Sequence, residues 1–478
     1  MKYTRILALT CNLSLLLGLS FALGVHAQNS PAIQQLFGFA CGSANNVCPN
    51  GASPNSLLQS ADRNFYGTTA SGGTGNQAAG TVFKITPTGQ LSTLFTFVAD
   101  ENGEYPNGGG PTSLVEGDDG FLYGTTAGGG VYGNGAVFKL SRIGTIQVLH
   151  SFCPPTNCGD GFSPSNLVLG RDGNAYGGTF GSNGLGGTLF RVTPRGSYTL
   201  LHTFNPRVEG PMAIGLTLAS DGNVYGTAVG AEDLLTTLFR LTPSGQFTVL
   251  QTIRYGQFFV SAPIQASDGK LYGGLSRFED QAEPAIFASN VSGSNFTNIL
   301  LPSFVFIDYV RYMTPASDSN LWSIISGNSL DPEVVSLSPN GKLLKTARFD
   351  GTNGANPDAA LVQSSDGTLL GVTESGGTVQ QGDVASGVIF TLNAGLAAPK
   401  PLFVSFSPSR GAAGSKVMIH GVHLIGTTHI AFNGLSATFR VLNTANITAT
   451  VPLGATTGPI AVTNAGGTTV SKTNFTVN

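Results

Sequence analysis

Charge is scarce in this chain. Only 10% of its 478 residues are charged, and the formal net charge is −3. That balance leaves no basic footprint for nucleic acid or for an anionic membrane. Tryptophan is nearly missing, at one residue, which speaks against a propeller that docks a quinone-type cofactor on tryptophans. Helical periodicity is absent after residue 27, and past that point no apolar run is long enough to cross a bilayer. The G-x-S-x-G elbow, the P-loop and H-E-x-x-H are absent as well. Glycine is the abundant residue, at 66, beside a hydrophobic fraction of 41%. That much apolar content builds cores, so the glycine signals turns between short elements.

The N-terminal 27 residues read as a secretory signal. Lys2 and Arg5 form a short positive start, residues 6–25 are apolar, and Val25-His26-Ala27 has the small-x-small form of a cleavage site. Removal leaves no membrane span. Of five cysteines, Cys41, Cys48, Cys153 and Cys158 remain in the exported chain. Four cysteines allow three pairings. We favour Cys41 with Cys48 and Cys153 with Cys158, the alternative being a zinc site.

One unit recurs along the chain, most cleanly at residues 113–152. An Asp, usually followed by Gly, precedes a large side chain by four residues: Asp62/Tyr66, Asp119/Tyr123, Asp172/Tyr176, Asp221/Tyr225, Asp268/Tyr272, Asp318/Trp322 and Asp366/Leu370. A strand of the type GTVFKI follows, centred on Phe83, Phe138, Phe190, Phe239, Phe287, Val335 and Phe390. A turn glycine and a hydrophobic strand end complete the unit. Alternation with β-branched and aromatic residues predicts four antiparallel strands, A to D, per repeat, as in propeller blades. The seventh copy lacks strand D, and residues 33–39, IQQLFGF, match that pattern. The expected fold is therefore all-β: a seven-bladed β-propeller over residues 28–396, closed by an N-terminal strand. After a linker at 397–402, residues 403–478 predict a small Ig-like β-sandwich.

The A–B and C–D turns keep constant spacing, whereas the B–C and D–A connections vary and carry both cysteine pairs. In an up-and-down blade those two variable connections emerge on one face, which makes it the expected working face. Its loops are rich in Gly, Asn, Ser and Thr, and Tyr105, Tyr132, Phe162, Phe180 and Phe278 lie among them as a candidate ligand face. Aromatics beside amides and hydroxyls suit sugar rings. The repeated Asp residues read as turn formers and His150 and His202 as packing variants of one strand-D position; His420, His423 and His429 are set aside as a ligand set because His420 alternates with Val417 and Ile419 in a strand; no metal, cofactor or catalytic residue is assigned. An enzyme would need converging carboxylates, and the loop-face acids are Glu101, Glu104, Glu232, Asp233, Glu279, Asp280, Glu374 and Asp383.

Two resemblances follow from particular stretches. The segments FSPSRGAAGSKVMIHGVHL, IAFNGLSATF and VPLGATTGPIAVTNAGGTTVSKTNFTV resemble an IPT/TIG immunoglobulin-like domain. This implies a spacer, or a module that contacts protein or glycan. Residues 172–179 and 187–204 resemble the GloVer tandem repeats of bacterial choice-of-anchor proteins; residues 287–289 and 318–319 depart from that pattern. The resemblance implies export and a repeat architecture but no defined activity. Members often end in a surface anchor; no hydrophobic tail or basic terminus follows the sandwich before Asn478, a departure from that pattern which leaves anchoring open. The expected function is a secreted or cell-surface binding or scaffold protein, a monomer whose partner is a polysaccharide or surface protein; the alternative is an extracellular polysaccharide lyase or glycosidase with acids at the mouth of the ring.

Overall fold

A computed structural model describes residues 31–43, 47–155, 158–181, 186–229, 235–253, 257–277, 285–301, 309–327 and 330–478. The signal segment lies outside them. Among the described residues there is no helix, and no helix long and apolar enough to cross a membrane.

The chain up to residue 392 folds as small antiparallel sheets that resemble propeller blades. Sheet 1 runs Ala52–Gln59, Phe65–Ser71, Thr81–Ile85, Leu91–Thr96, and sheet 2 runs Gly109–Glu116, Leu122–Gly128, Ala136–Leu140, Ile146–Ser151. Sheet 3 spans Phe162–Leu169 to Tyr198–Thr203, sheet 4 Met212–Leu218 to Phe247–Ile253, and sheet 6 Tyr309–Pro315 to Leu343–Arg348. Strand A is broken in sheet 5, into Gln257–Phe259 and Ile264–Gln265, and in the last sheet, into Ala355–Pro357 and Val362–Gln363. Strand A has a register shift beside Pro54 and Pro111 in the first two sheets. Proline gives no N–H to the ladder, and near Pro263 and Pro357 the irregularity widens into a break. The last sheet continues with Leu369–Ser375 and Asp383–Leu392, and its outer strand is Ile33–Gly42 from the other end of the chain.

One packing rule repeats inside these sheets. Strand B is buried almost throughout, and its glycine lies opposite the strand-C phenylalanine: Gly67 and Phe83, Gly124 and Phe138, Gly177 and Phe190, Gly226 and Phe239. A Cβ on any of these glycines would stand only 2.3 to 2.4 Å from that ring, so the ring fills the space over a bare backbone. Sheet 6 keeps the total volume by a paired change, with Ser323 opposite Val335.

Neighbouring sheets share cores. Tyr66, Val82 and Phe97 of sheet 1 pack with Leu122, Phe138 and Leu140 of sheet 2. Phe39, Leu370, Val372 and Ile389 of the last sheet pack in the same way with Phe65, Phe83 and Ile85 of sheet 1. Side chains at the end of strand A clamp the preceding sheet's A–B turn. Ala61 N–H donates to Glu116 Oε2 at 3.2 Å, Ser220 N–H to Gln265 Oε1 at 2.7 Å, and Ser317 N–H to Gln363 Oε1 at 2.9 Å.

Beyond residue 401 two four-stranded sheets enclose a separate core. One has the order Leu402–Ser407, Lys416–Val422, Asn446–Thr450, Phe439–Val441, and the other Leu435–Ser436, His429–Phe432, Ile460–Asn464, Gly467–Val470. Val417, Ile419, Ile447, Ile430, Phe432, Ile460 and Val462 meet between them.

Candidate functional site

The repeated Asp residues are hairpin parts. In each turn Oδ1 accepts the backbone N–H two residues on, from Asn64, Phe121, Asn174, Asn223, Lys270, Asn320 and Thr368. Oδ2 of Asp62, Asp119, Asp172, Asp221 and Asp268 accepts the tyrosine hydroxyl at 2.7 to 2.8 Å. Trp322 Nε1 replaces that donor to Asp318 at 3.4 Å. Burial opposes ionisation of Asp62, but hydrogen bonds from Asn64 and Tyr66 and the Lys84 ammonium outweigh it and hold the carboxyl at about 2. Burial and the Asp172 carboxylate push Tyr176 up to about 12. These groups have their partners and build the scaffold.

The C-terminal sandwich sits on the same turns. Asn443 Nδ2 donates to Asp118 Oδ1 at 2.7 Å and to the Glu116 carbonyl at 3.2 Å, and Asn446 Nδ2 donates to Asp118 Oδ1 at 2.6 Å. A Cβ on Gly426 would lie 3.3 Å from Ser365 in the last sheet's A–B turn. The linker and the residues just before it are tied down nearby, with Ser317 Oγ and Lys345 Nζ donating to the carbonyls of Ala397 and Ala394, each at 2.7 Å.

The variable connections lie at the other ends of the strands. Both disulfides are there, Cys41–Cys48 and Cys153–Cys158. Of the candidate aromatics, Phe162 and Phe180 pair across strands with ring centroids 6.4 Å apart. Tyr105 donates its hydroxyl to the Gln77 carbonyl at 2.8 Å, linking two loops. Tyr132 stands at the tip of a loop beside Val131, 41% and 72% exposed. The five are thus one pair and two separate side chains, while Phe278 lies outside the described residues, as do Glu232, Asp233, Glu279 and Asp280. His150 stacks on Tyr198 and shares a hydrogen bond with Asp160 at 2.9 Å; His202 stacks on Phe247 and does the same with Glu209 at 2.9 Å. Each histidine pins the loop that follows its strand. His420 and His429 bond Asn446 and Ser436, and among the described residues no three His, Cys, Asp or Glu group as metal ligands.

One cluster on this side joins Glu374, one of the loop-face acids, to two residues that the sequence did not single out. Tyr312, on strand A of sheet 6, donates to Asp358 Oδ1 at 2.6 Å. Glu374, on strand B of the last sheet, is raised by burial and then by the Asp358 charge. Burial and Asp358 also push the Tyr312 hydroxyl well up, against the opposing charge of Arg311. Tyr312 and Asn356 both hold positive φ, 53° and 54°, a conformation that is costly for a bulky side chain. The missed signal is a position. Pro54, Pro111 and Pro164 are followed by Asn55, Thr112 and Ser165, whereas Pro357 is followed by an acid. A carboxyl with a raised pKa beside a carboxylate and a phenol can serve as an acid and a base or grip a polar ligand.

A family model described as the Gloeobacter/Verrucomicrobia repeat matches residues 32–156 and 104–287. No curated protein matches. Among solved structures, the extracellular domain of BT4673 from B. thetaiotaomicron aligns at 11% identity and a TM-score of 0.49, covering 94% of this chain and 59% of that one. A fungal alcohol oxidase of the AA5 family, in complex with copper, aligns at 12% and 0.46, covering 90% and 98%. The WD40 β-propeller domain of Doa1 aligns at 10% and 0.46, covering 76% and 97%.

Proposed function

The chain belongs to the Gloeobacter/Verrucomicrobia repeat family, and from that premise we propose an exported binding or scaffold protein that takes a polysaccharide or a surface protein on its variable-loop face. Its body is a seven-bladed propeller closed by the strand Ile33–Gly42, followed by an Ig-like sandwich of the IPT/TIG kind. Closure is supported by the core that Phe39 shares with Phe83. Export is supported by the N-terminal signal pattern and by two disulfides, which persist in oxidising compartments.

The observation that carries the choice of face is the docking of the sandwich. Asn443 and Asn446 bind Asp118 on the A–B turns, which leaves the opposite, loop-bearing face free for a partner. A glycan array probed with residues 28–478 tests this reading. Binding that is lost on trimming residues 128–135 or in Tyr132→Ala supports it; binding indifferent to both changes overturns it.

A second reading, a polysaccharide lyase or glycosidase, is favoured by the contact among Tyr312, Asp358 and Glu374. Release of unsaturated or reducing ends from a polymer, abolished in Glu374→Gln, would establish it. Wild-type protein inert across uronate and neutral polymers sinks it.

A further inference from the structure

The sandwich has a charge pattern of its own. Residues 397–478 contain Lys400, Arg410, Lys416, Arg440 and Lys472 and no Asp or Glu, so all 26 acids of the chain precede it. An open pocket of about 420 Å³ lies on this domain, lined by Gly414, Ser436, Thr438, Thr450, Pro452 and Leu453 among others. Small-ligand sites occupy a similar range, about 300–1,000 Å³. Leu453 forms one lip and is 91% exposed, with Leu435 also exposed beside it.

The pocket and the propeller contact lie at opposite ends of one strand. The strand Asn446–Thr450 begins at the propeller contact, where Asn446 binds Asp118, and ends in the pocket at Thr450. At about 3.3 Å per residue, four steps along the strand separate the two ends by roughly 13 Å. Thr450 Oγ1 accepts from Lys416 Nζ at 2.7 Å, and Ser436 Oγ is bonded to His429 Nε2 at 2.8 Å. An ammonium has three N–H donors, and this bond uses one.

We propose that this pocket is a second binding site, specific for an anionic polysaccharide such as a uronate polymer. Sugar hydroxyls meet Ser436, Thr438 and Thr450, the apolar face of the ring lies on Pro452 and Leu453, and the carboxylate pairs with Lys416. No acid of the sandwich opposes an anion there, and the propeller acid nearest along this strand, Asp118, is held at the far end by Asn443 and Asn446. The site is independent of the propeller's loop face.

Affinity electrophoresis of residues 28–478 in polygalacturonate, with dextran as the neutral control, tests the assignment. Retardation in polygalacturonate alone is expected. Lys416→Ala combined with Leu453→Ser should weaken it by about tenfold or more, the scale of one charged contact and one apolar contact removed. Lys400→Ala serves as the charge-matched control, because Lys400 lies against Gly467 near the linker; it should change binding by less than about twofold. Tyr132→Ala should change nothing, which separates this site from the loop face. Absence of retardation overturns the proposal. So does an equal loss in Lys400→Ala, or equal competition by single-stranded DNA or phosphatidylglycerol vesicles, since either marks diffuse charge attraction. Loss in Tyr132→Ala with full binding in the Lys416 variant would move the glycan to the propeller and also overturn it.

Discussion

The Ser365 N–H donates to Gln59 Oε1 at 2.9 Å, across 306 positions of sequence. The same clamp joins sheets adjacent in sequence, through Gln265 to Ser220 and Gln363 to Ser317. The first and last sheets therefore hold each other as consecutive sheets do. The outer strand Ile33–Gly42 adds Gln35, whose amide and carbonyl both bond Thr378 at 2.8 Å.

If that contact closes the body of the protein, its strength lies in the apolar side chains beneath it. Phe39 is fully buried and rests on Phe83 of the first sheet. Phe39→Ala should destabilise the protein by about 3–5 kcal/mol, the usual range for a core phenylalanine. Urea unfolding followed by fluorescence measures this. A loss below about 1 kcal/mol would mean that the two ends contribute little to each other.

The opposed glycine and phenylalanine make a sharper prediction. Adding a methyl in Gly124→Ala brings Cβ to 2.3 Å from the Phe138 ring and 2.6 Å from the Ser113 carbonyl. Overpacking of this kind costs about 1–3 kcal/mol. Sheet 6 has already solved the problem with Ser323 and Val335. The double change Gly124→Ala/Phe138→Val should thus lose less stability than the sum of the two single changes, in a thermal double-mutant cycle. Simple additivity would show that ring and glycine are not matched.

These residues also mark what was readable beforehand. Asp119 with Tyr123, and Phe138 with Gly144, recur as pairs at fixed spacing, because the A–B and C–D hairpins tolerate no insertions; the repeat pattern follows from them. The Gln59 clamp was hidden, since its partner belongs to another sheet and the position is Gln or Glu in only some repeats, with Leu169, Leu218 and Pro315 in the others. Tyr312 and Asp358 were hidden by a register shift between Arg311 and Thr314, which breaks the two-residue period that sequence reading relies on. The docking of Asn443 and Asn446 on Asp118 leaves no local pattern at all. The aromatic loop residues were read as one group. They separate because Tyr105 satisfies its hydroxyl on a neighbouring loop while Tyr132 stands 41% exposed at the tip of its own.

Beside His423, which burial also holds below 6.5, acid sensitivity should come from His150. Burial holds its pKa below 6.5, against the attraction of Asp160. As pH falls through 6.5 the unfolded chain takes up a proton that the folded chain resists, so stability is full above 6.5 and declines below it until the folded histidine also protonates. Asp62 adds a second loss at lower pH, as the medium passes from 3.8 toward about 2. The melting temperature of His150→Gln should be flatter than wild type between about pH 7 and 5. Parallel curves would place the sensitivity elsewhere.

The carboxyl pair of the last sheet should behave in the opposite sense. Burial and Asp358 raise the folded pKa of Glu374 above 4.5, so the folded state binds its proton more tightly than the unfolded state. Stability is retained below 4.5 and lost as pH rises through the folded pKa. Glu374→Gln should therefore raise the melting temperature at pH 7 and leave it unchanged at pH 4. In Asp358→Asn the like charge disappears, and both Glu374, followed by carboxyl NMR, and the Tyr312 phenol, followed by ultraviolet titration, should titrate at lower pH than in wild type. A group that weakens the fold at neutral pH, beside a tyrosine at positive φ, fits retention for binding or catalysis better than for stability. Unchanged titration of Glu374 in Asp358→Asn would show that the two carboxyls act separately, and would remove the acid–base reading of this cluster.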